Sequence, residues 1–132
     1  MNEIPWSQGV WLNPPVKTVQ EHSHLKVTGV YESDFWRNTS YGFVHDSGHA
    51  LLTDFPAHSS MEVTFILDYS GLFDQAGIIV YSDSHHWIKA GVENADGLPQ
   101  VGAVVTSIDS VVSAGTNGSK LPDPIGFSKA QV

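Results

Sequence analysis

Residues 73–106 read FDQAGIIVYSDSHHWIKAGVENADGLPQVGAVVT, and the way this stretch divides decides the fold. No apolar spacing of three or four runs through it. β-Branched and aromatic residues dominate, broken by two polar runs, so the stretch predicts three strands and two tight turns. The first break is Ser82-Asp83-Ser84-His85; the second, Asn94-Ala95-Asp96-Gly97, has the Asp-Gly chemistry of a hairpin. Register follows from sidedness, because a slip of one residue moves every side chain to the other face. With Tyr81 opposite Trp87 and Gly77 opposite Gly91, one face holds Ala76, Ile78, Val80, Ile88, Ala90 and Val92, all apolar. The neighbouring register sets Gln75 against Val92 and Lys89 against Ile78 and mixes both faces. The first register is therefore expected, with the apolar face as the core face and Val101, Ala103 and Val105 continuing it.

The opposite face pairs Gln75 with Glu93, Gly77 with Gly91, Ile79 with Lys89 and Tyr81 with Trp87. Gly102 falls beside Gly91, so three glycines lie in a row across three strands. Glycine inside strands weakens them and marks close approach by a ligand or by other backbone. The row predicts a trough edged by Gln75, Glu93, Lys89, Tyr81 and Trp87, an aromatic platform beside hydrogen-bonding groups that suits a sugar or another polar ring. The alternative is that other protein packs into the trough and Lys89 and Glu93 pair with each other.

Outward from this centre the same short-strand signal recurs. Residues 61–68 alternate Met61, Val63, Phe65 and Leu67 against polar neighbours, a half-buried strand. Residues 16–30 hold two strand candidates, the second alternating cleanly from Leu25. Residues 41–53 read as a hairpin closed by Asp46-Ser47-Gly48, with Phe43 facing Leu51 and His45 facing His49. Residues 33–37 break the pattern and predict an ordered loop anchored by Phe35 and Trp36, with Asp34 and Arg37 either paired structurally or lining a ligand site. Trp6 and Trp11 are costly to leave in water, so at least one should dock. His22 and His24 have no Cys nearby, and a solvated pair is favoured over a metal site. Residues 108–112 suggest a short strand. The domain is expected to span 1–114, with a flexible tail at 115–132. Short strands throughout and no helical period indicate an all-β sandwich or barrel.

Composition sets the bounds. A chain of 132 residues, 41% hydrophobic and 15% charged, is one domain with a real core. A formal charge of −8, with six scattered Lys and Arg, argues against nucleic acid and anionic membrane as partners. Cysteine is absent, so neither disulfides nor thiolate metal sites are available. The N-terminus lacks the basic and apolar regions of a signal peptide, and a cytoplasmic location is expected. The sequons at Asn38 and Asn117 then read as chance matches. No cofactor motif, serine-nucleophile elbow or calcium loop is found.

Taken together, WLNPP at 11–15, SDFWRNTSYGFVHDSGH at 33–49, LFDQAGIIV at 72–80, HWIKAGVENADG at 86–97 and VVT at 104–106 resemble a domain family of unknown function. That family includes a yeast protein named for regulation of enolase. The resemblance covers about residues 11–106. It implies a concanavalin A-like lectin/glucanase fold, a jelly-roll sandwich of antiparallel sheets, here incomplete at the C-terminus, with reduced stability or self-association as the expected consequence. Likeness of fold alone assigns no activity. The favoured reading is a non-catalytic binding or regulatory module. Its ligand, a carbohydrate or polar metabolite, would sit on the concave sheet face among Asp34, Arg37, Asp74, Gln75, Tyr81, Trp87, Lys89 and Glu93, with Lys89 and Arg37 able to accept an anion. One alternative is a glycoside hydrolase using Glu93 with Asp74 or Asp34. It needs carboxyls about 5–5.5 Å or 6.5–9.5 Å apart, and the Glu-x-Asp-x-Glu run of many glucanases is missing. Another alternative, implied by the resemblance, is a protein that regulates a metabolic enzyme such as enolase by surface contact.

Overall fold

The computed structural model describes residues 2–37, 44–107 and 110–116, with backbone alone for Arg37 and 110–116. A 3₁₀ turn at Trp6–Gln8 precedes β1 (Val10–Leu12), β2 (Lys17–Glu21), β3 (His24–Thr28), β4 (Phe35–Arg37), β5 (Val44–Asp46) and β6 (Ala50–Leu52). Then come the long strands β7 (Gln75–Asp83), β8 (His86–Ala95) and β9 (Leu98–Ser107), followed by β10 (Ser110–Thr116). All pairings are antiparallel. The long strands and β10 form one sheet in the order β10-β9-β8-β7, beside the two-stranded ladders β1-β6, β2-β3 and β4-β5. The class is all-β, with no α-helix among the described residues.

The central sheet has the register that sidedness demands. Gln75 lies opposite Glu93, Gly77 opposite Gly91, Ile79 opposite Lys89 and Tyr81 opposite Trp87. The turns are tighter than the sequence suggested. A bulge after Tyr81 brings Asp83 opposite His86, leaving Ser84-His85 as the turn. The Asp83 carboxylate accepts from the His85 amide at 2.8 Å and lies 2.8 Å from His86 Nδ1. The second turn is Asp96-Gly97, both with positive φ (53° and 77°), the conformation of a type I′ hairpin.

The glycine row reaches a fourth strand. Gly102 pairs with Gly91 on one side and with Gly115 on the other. Gly115, expected to open a flexible tail, therefore belongs to β10; the rest of that tail, 117–132, lies outside the described residues. At Gly77 a β-carbon would run into Ala90 O and would lie 2.5 Å from the Gly91 Cα. At Gly91 it would meet Ala76 O. The row is thus first a requirement of close strand approach.

The assignment of faces is reversed relative to expectation. The buried cluster is Phe35, Ala50, Ile79, Trp87 and Val104, and its three sheet residues lie on the Gly77–Lys89 face. Leu12, Trp36, Leu52 and Tyr81 pack against it. The apolar face of Ala76, Ile78, Val80, Ile88, Ala90 and Val92 is only partly buried, and Val105 is 40% exposed. Trp87 is 2% exposed and packs against Phe35 at 6.0 Å between ring centroids, which stacks aromatic area into the core.

Several local readings also change. Residues 35–37, expected in a loop, are β4 and pair with β5. The hairpin expected over 41–53 does not form: β5 pairs back to β4 and β6 pairs with β1. The reason is a set of long-range bonds at the would-be turn. Asn13 Nδ2 donates to Asp46 O at 2.7 Å and to Gly48 O at 2.9 Å, while the amides of Ser47 and Gly48 donate to Asp34 O. His45 accordingly sits opposite Trp36, not His49. His49 accepts the Val30 amide at Nε2 (2.9 Å) and donates from Nδ1 to Asn13 O (2.6 Å). Phe43 and both sequons lie outside the described residues. Residues 61–68 keep the expected alternation of burial but join no ladder among the described residues. Trp6 docks through Nε1 onto Ser23 O at 2.8 Å.

Two glycine substitutions separate backbone from side-chain constraint. At Gly48 the atoms nearest a new β-carbon belong to the Phe35 ring, which can swing away at some loss of packing; at Gly77 they are backbone of the paired strand. Both changes overpack, at about 1–3 kcal/mol. Gly77→Ala is expected to lower stability more than Gly48→Ala in urea denaturation followed by Trp fluorescence.

Candidate functional site

The site is built around a lysine on an inward-facing strand position. Lys89 is 9% exposed, and a bare ammonium so placed would be strongly unfavourable. Its Nζ donates to Asp34 Oδ1 at 2.9 Å and to Phe35 O at 2.8 Å, and lies 5.8 Å from the Trp36 ring centroid. Asp34 Oδ1 also accepts the Phe35 amide at 2.7 Å and Gln75 Nε2 at 3.1 Å. One carboxylate oxygen therefore ties the start of β4 to β7 and β8. The same junction seats Phe35 in the core and leaves Trp36 over the lysine.

Beside this capped half, no described residue covers the glycine half of the face. A groove of about 210 Å³ is floored by Gly77, Gly91 and Gly102 and bordered by Trp36, Gln75, Lys89, Glu93 and Gln100. Gln75 and Gln100 flank Glu93 on the neighbouring strands. Gln100 Nε2 donates to Ala95 O at 3.3 Å, as Gln75 Nε2 does to Asp34. Both amides thus turn their NH₂ groups to protein acceptors. Each keeps its carbonyl oxygen unengaged among the described residues.

Glu93 makes no hydrogen bond or ion pair among the described residues. Partial burial pushes its carboxyl above the usual range; Lys89 pulls it down, and Asp34 pushes it up again. Near it, the Tyr69 hydroxyl donates to Val92 O. Burial, with the negative charges of Asp74 and Glu93, pushes that phenol up to about 12.

Of the residues singled out from sequence, Gln75, Lys89 and Glu93 line the groove, and Asp34 stands behind them, bonded to Gln75 and Lys89. Asp74 does not line it. Its carboxylate accepts the amides of Ser70 (3.0 Å) and Gly71 (2.7 Å) and holds the approach to β7. Tyr81 and Trp87 are core residues around Phe35, so the expected aromatic platform is not at the groove. The Arg37 side chain lies outside the described residues. Lys89 is held by Asp34 and Phe35 O, so its charge is not free for an anion. Lys89 and Glu93 are not mutual hydrogen-bond partners. Trp36 and Gln100 were missed as groove residues. Gln100 follows from the register of the second hairpin, two places after Leu98; Trp36 depends on a contact that local sequence does not encode.

The family described as "Protein of unknown function (DUF1349)" matches residues 11–118, a span that includes β10. A protein of Saccharomyces cerevisiae, "Regulation of enolase protein 1", is 39% identical over 117 residues, covering 89% of this chain and 59% of its own length. A solved structure described as a functionally unknown protein from Saccharomyces cerevisiae superposes with a TM-score of 0.69 at 35% identity, covering 88% of this chain and 63% of that one. The chain thus spans less than two thirds of each of these relatives.

The Glu93 environment gives a pH signature. With its proton held more tightly in the folded than in the unfolded state, Glu93 supports folding below the ordinary glutamate range, and that support is lost as pH rises through the raised value. Glu93→Gln, which fixes the neutral form, is expected to raise stability at pH 7 by less than about 1 kcal/mol, since the group is partly solvated. The gain should vanish near about pH 4. Urea denaturation at both pH values measures it, and a variant less stable than wild type at pH 7 contradicts it.

Proposed function

We propose a non-catalytic binding role for this chain, which belongs to the family of unknown function whose profile it matches (DUF1349). In this reading the glycine-floored groove is a binding site for a polar ring, of the carbohydrate or polar-metabolite class, in a concanavalin A-like sandwich. One observation supports it above the others: among the described residues the groove stays open beside a core that fills the rest of the same sheet face. Its floor has no side chains, so a flat ring can approach backbone closely. Its walls supply one indole, two amide carbonyls and a carboxylate, the few directed polar groups that small-ligand sites use.

The carboxylates do not favour hydrolysis. Both glycosidase mechanisms need two acids acting across one bond. Asp34 is engaged by Lys89, Gln75 and the Phe35 amide, and Asp74 by the turn before β7. Of the carboxyls weighed as its partner, neither is left available to Glu93. The name of the yeast relative motivates a second reading, in which a metabolic enzyme is the partner.

Titration of a panel of neutral, amino and phosphorylated sugars, followed by ¹H–¹⁵N chemical-shift changes, tests the binding role. The expected result is shifts confined to the glycine row and to Trp36, Gln75, Glu93 and Gln100. Trp36→Ala is expected to weaken binding about tenfold or more, the scale of a lost aromatic anchor. Shifts centred on the opposite, apolar face would overturn the assignment of the site.

A further inference from the structure

Each charged group at the groove can be accounted for in turn. The Lys89 charge is met by Asp34 at 2.9 Å, with Phe35 O taking a second donor. Asp34 receives three donors on one oxygen. The NH₂ groups of Gln75 and Gln100 are turned to Asp34 and Ala95 O. Among the described residues, the unengaged polar groups bordering the groove are then the Glu93 carboxylate, the carbonyl oxygens of Gln75 and Gln100, and one N–H each on the Lys89 ammonium, the Gln100 amide and the Trp36 indole. The charge left without a partner among them is negative, because Lys89 is already paired with Asp34. An anionic ligand would meet the Glu93 charge, and Lys89, the cation among the described lining residues, is already neutralised by Asp34. A neutral ring could donate its hydroxyls to Glu93, but in covering the carboxylate it would replace water without adding a positive charge, and the nearby Lys89 is already paired with Asp34. A ligand with an ammonium removes that penalty and donates to up to three acceptors at once.

We infer, on the reading of the groove as a binding site, that its ligand is a polyhydroxylated ring bearing a protonated amine, an amino sugar, with the Glu93 carboxylate as the counter-charge that selects it. Glu93 is therefore the specificity-determining residue. Gln75 and Gln100 complete the acceptor set on the two adjoining strands, and Trp36 offers its face to the ring. The formal charge of −8 would attract any cation to the molecule at long range, so the selectivity must be shown to reside at Glu93.

The experiment is isothermal titration at pH 7 with β-1,4-linked trimers of glucosamine and of glucose, with glucose 6-phosphate, and with putrescine as an amine without a ring. The glucosamine trimer is expected to bind at least tenfold more tightly than each of the others. Glu93→Gln should bring the two trimers within about twofold of each other, whereas Glu62→Gln, at an exposed position far along the chain, should preserve the preference. Equal binding of the two trimers by wild type, or a preference that survives Glu93→Gln or disappears in Glu62→Gln, overturns the amine assignment and leaves the groove reading intact. Tighter binding of the phosphate or of putrescine overturns the amino-sugar class. Absence of binding by every probe overturns the assignment and the groove reading together.

Discussion

A lysine on the inner face of a sheet sets the terms for the rest of the molecule. Lys89 lies midway along β8, between Ile79 and Val104 on the adjoining strands. An ammonium taken from water there is tolerable only with a counter-charge and satisfied donors. The segment that supplies them, Asp34-Phe35-Trp36, is far away in sequence but crosses the face at that point. Meeting the charge places an aromatic residue on each side of the pair, Phe35 in the core and Trp36 over the ammonium. The polar contact and the hydrophobic core are therefore one construction. The bonds from Asn13 and Asp34 to residues 46–48, and from His49 to Asn13 and Val30, hold the capping segment in place.

The same face is divided by side-chain size. Toward Tyr81 and Trp87 it carries large groups, and the cap fills the space above them. Toward Gln75 and Glu93 it carries the glycine row, where strand backbones approach too closely for a β-carbon at Gly77 or Gly91. With no side chains to pack against, nothing among the described residues closes that half, and the groove is what is left. Glu93, four residues along β8 from Lys89 and on the same face, borders this space without a partner among the described residues. The contrast between a neutralised lysine and an unmatched glutamate, side by side on one strand, gives the groove its chemical character.

Much of this was legible in the sequence, because the central sheet is built from neighbours in the chain. Alternation and Asp-Gly turn chemistry fixed its pairing residue by residue, including Gly91 between Gly77 and Gly102. What failed was the inference from pairing to burial. An apolar face was equated with the core, whereas the core formed on the face that carries Lys89, because Phe35 and Ala50 reach it from distant segments. Local turn chemistry misled for the same reason at Asp46-Ser47-Gly48, where Asn13 and Asp34 override the hairpin those residues would otherwise form. Gly115 was hidden by a composition that reads as linker, although its place opposite Gly102 follows once β10 is paired. Three of the eight residues singled out for the site, Gln75, Lys89 and Glu93, line the groove, and a fourth, Asp34, bonds to two of them. Tyr81 and Trp87 were chosen for aromatic character, which serves a core as well as a ligand.

If the buried charge organises this face, its two partners cannot be equivalent. The direct measurement is the stability of Asp34→Ala, Lys89→Met and the double variant by urea denaturation at pH 7. Removing Asp34 strands a buried ammonium and should cost about 2–4 kcal/mol, the lower part of the range for breaking a buried pair because Asp34 is partly exposed. Replacing Lys89 by an apolar side chain of similar length should cost far less, and adding it to Asp34→Ala should recover most of the loss. Equal costs for the two single variants, summing in the double, would contradict the account.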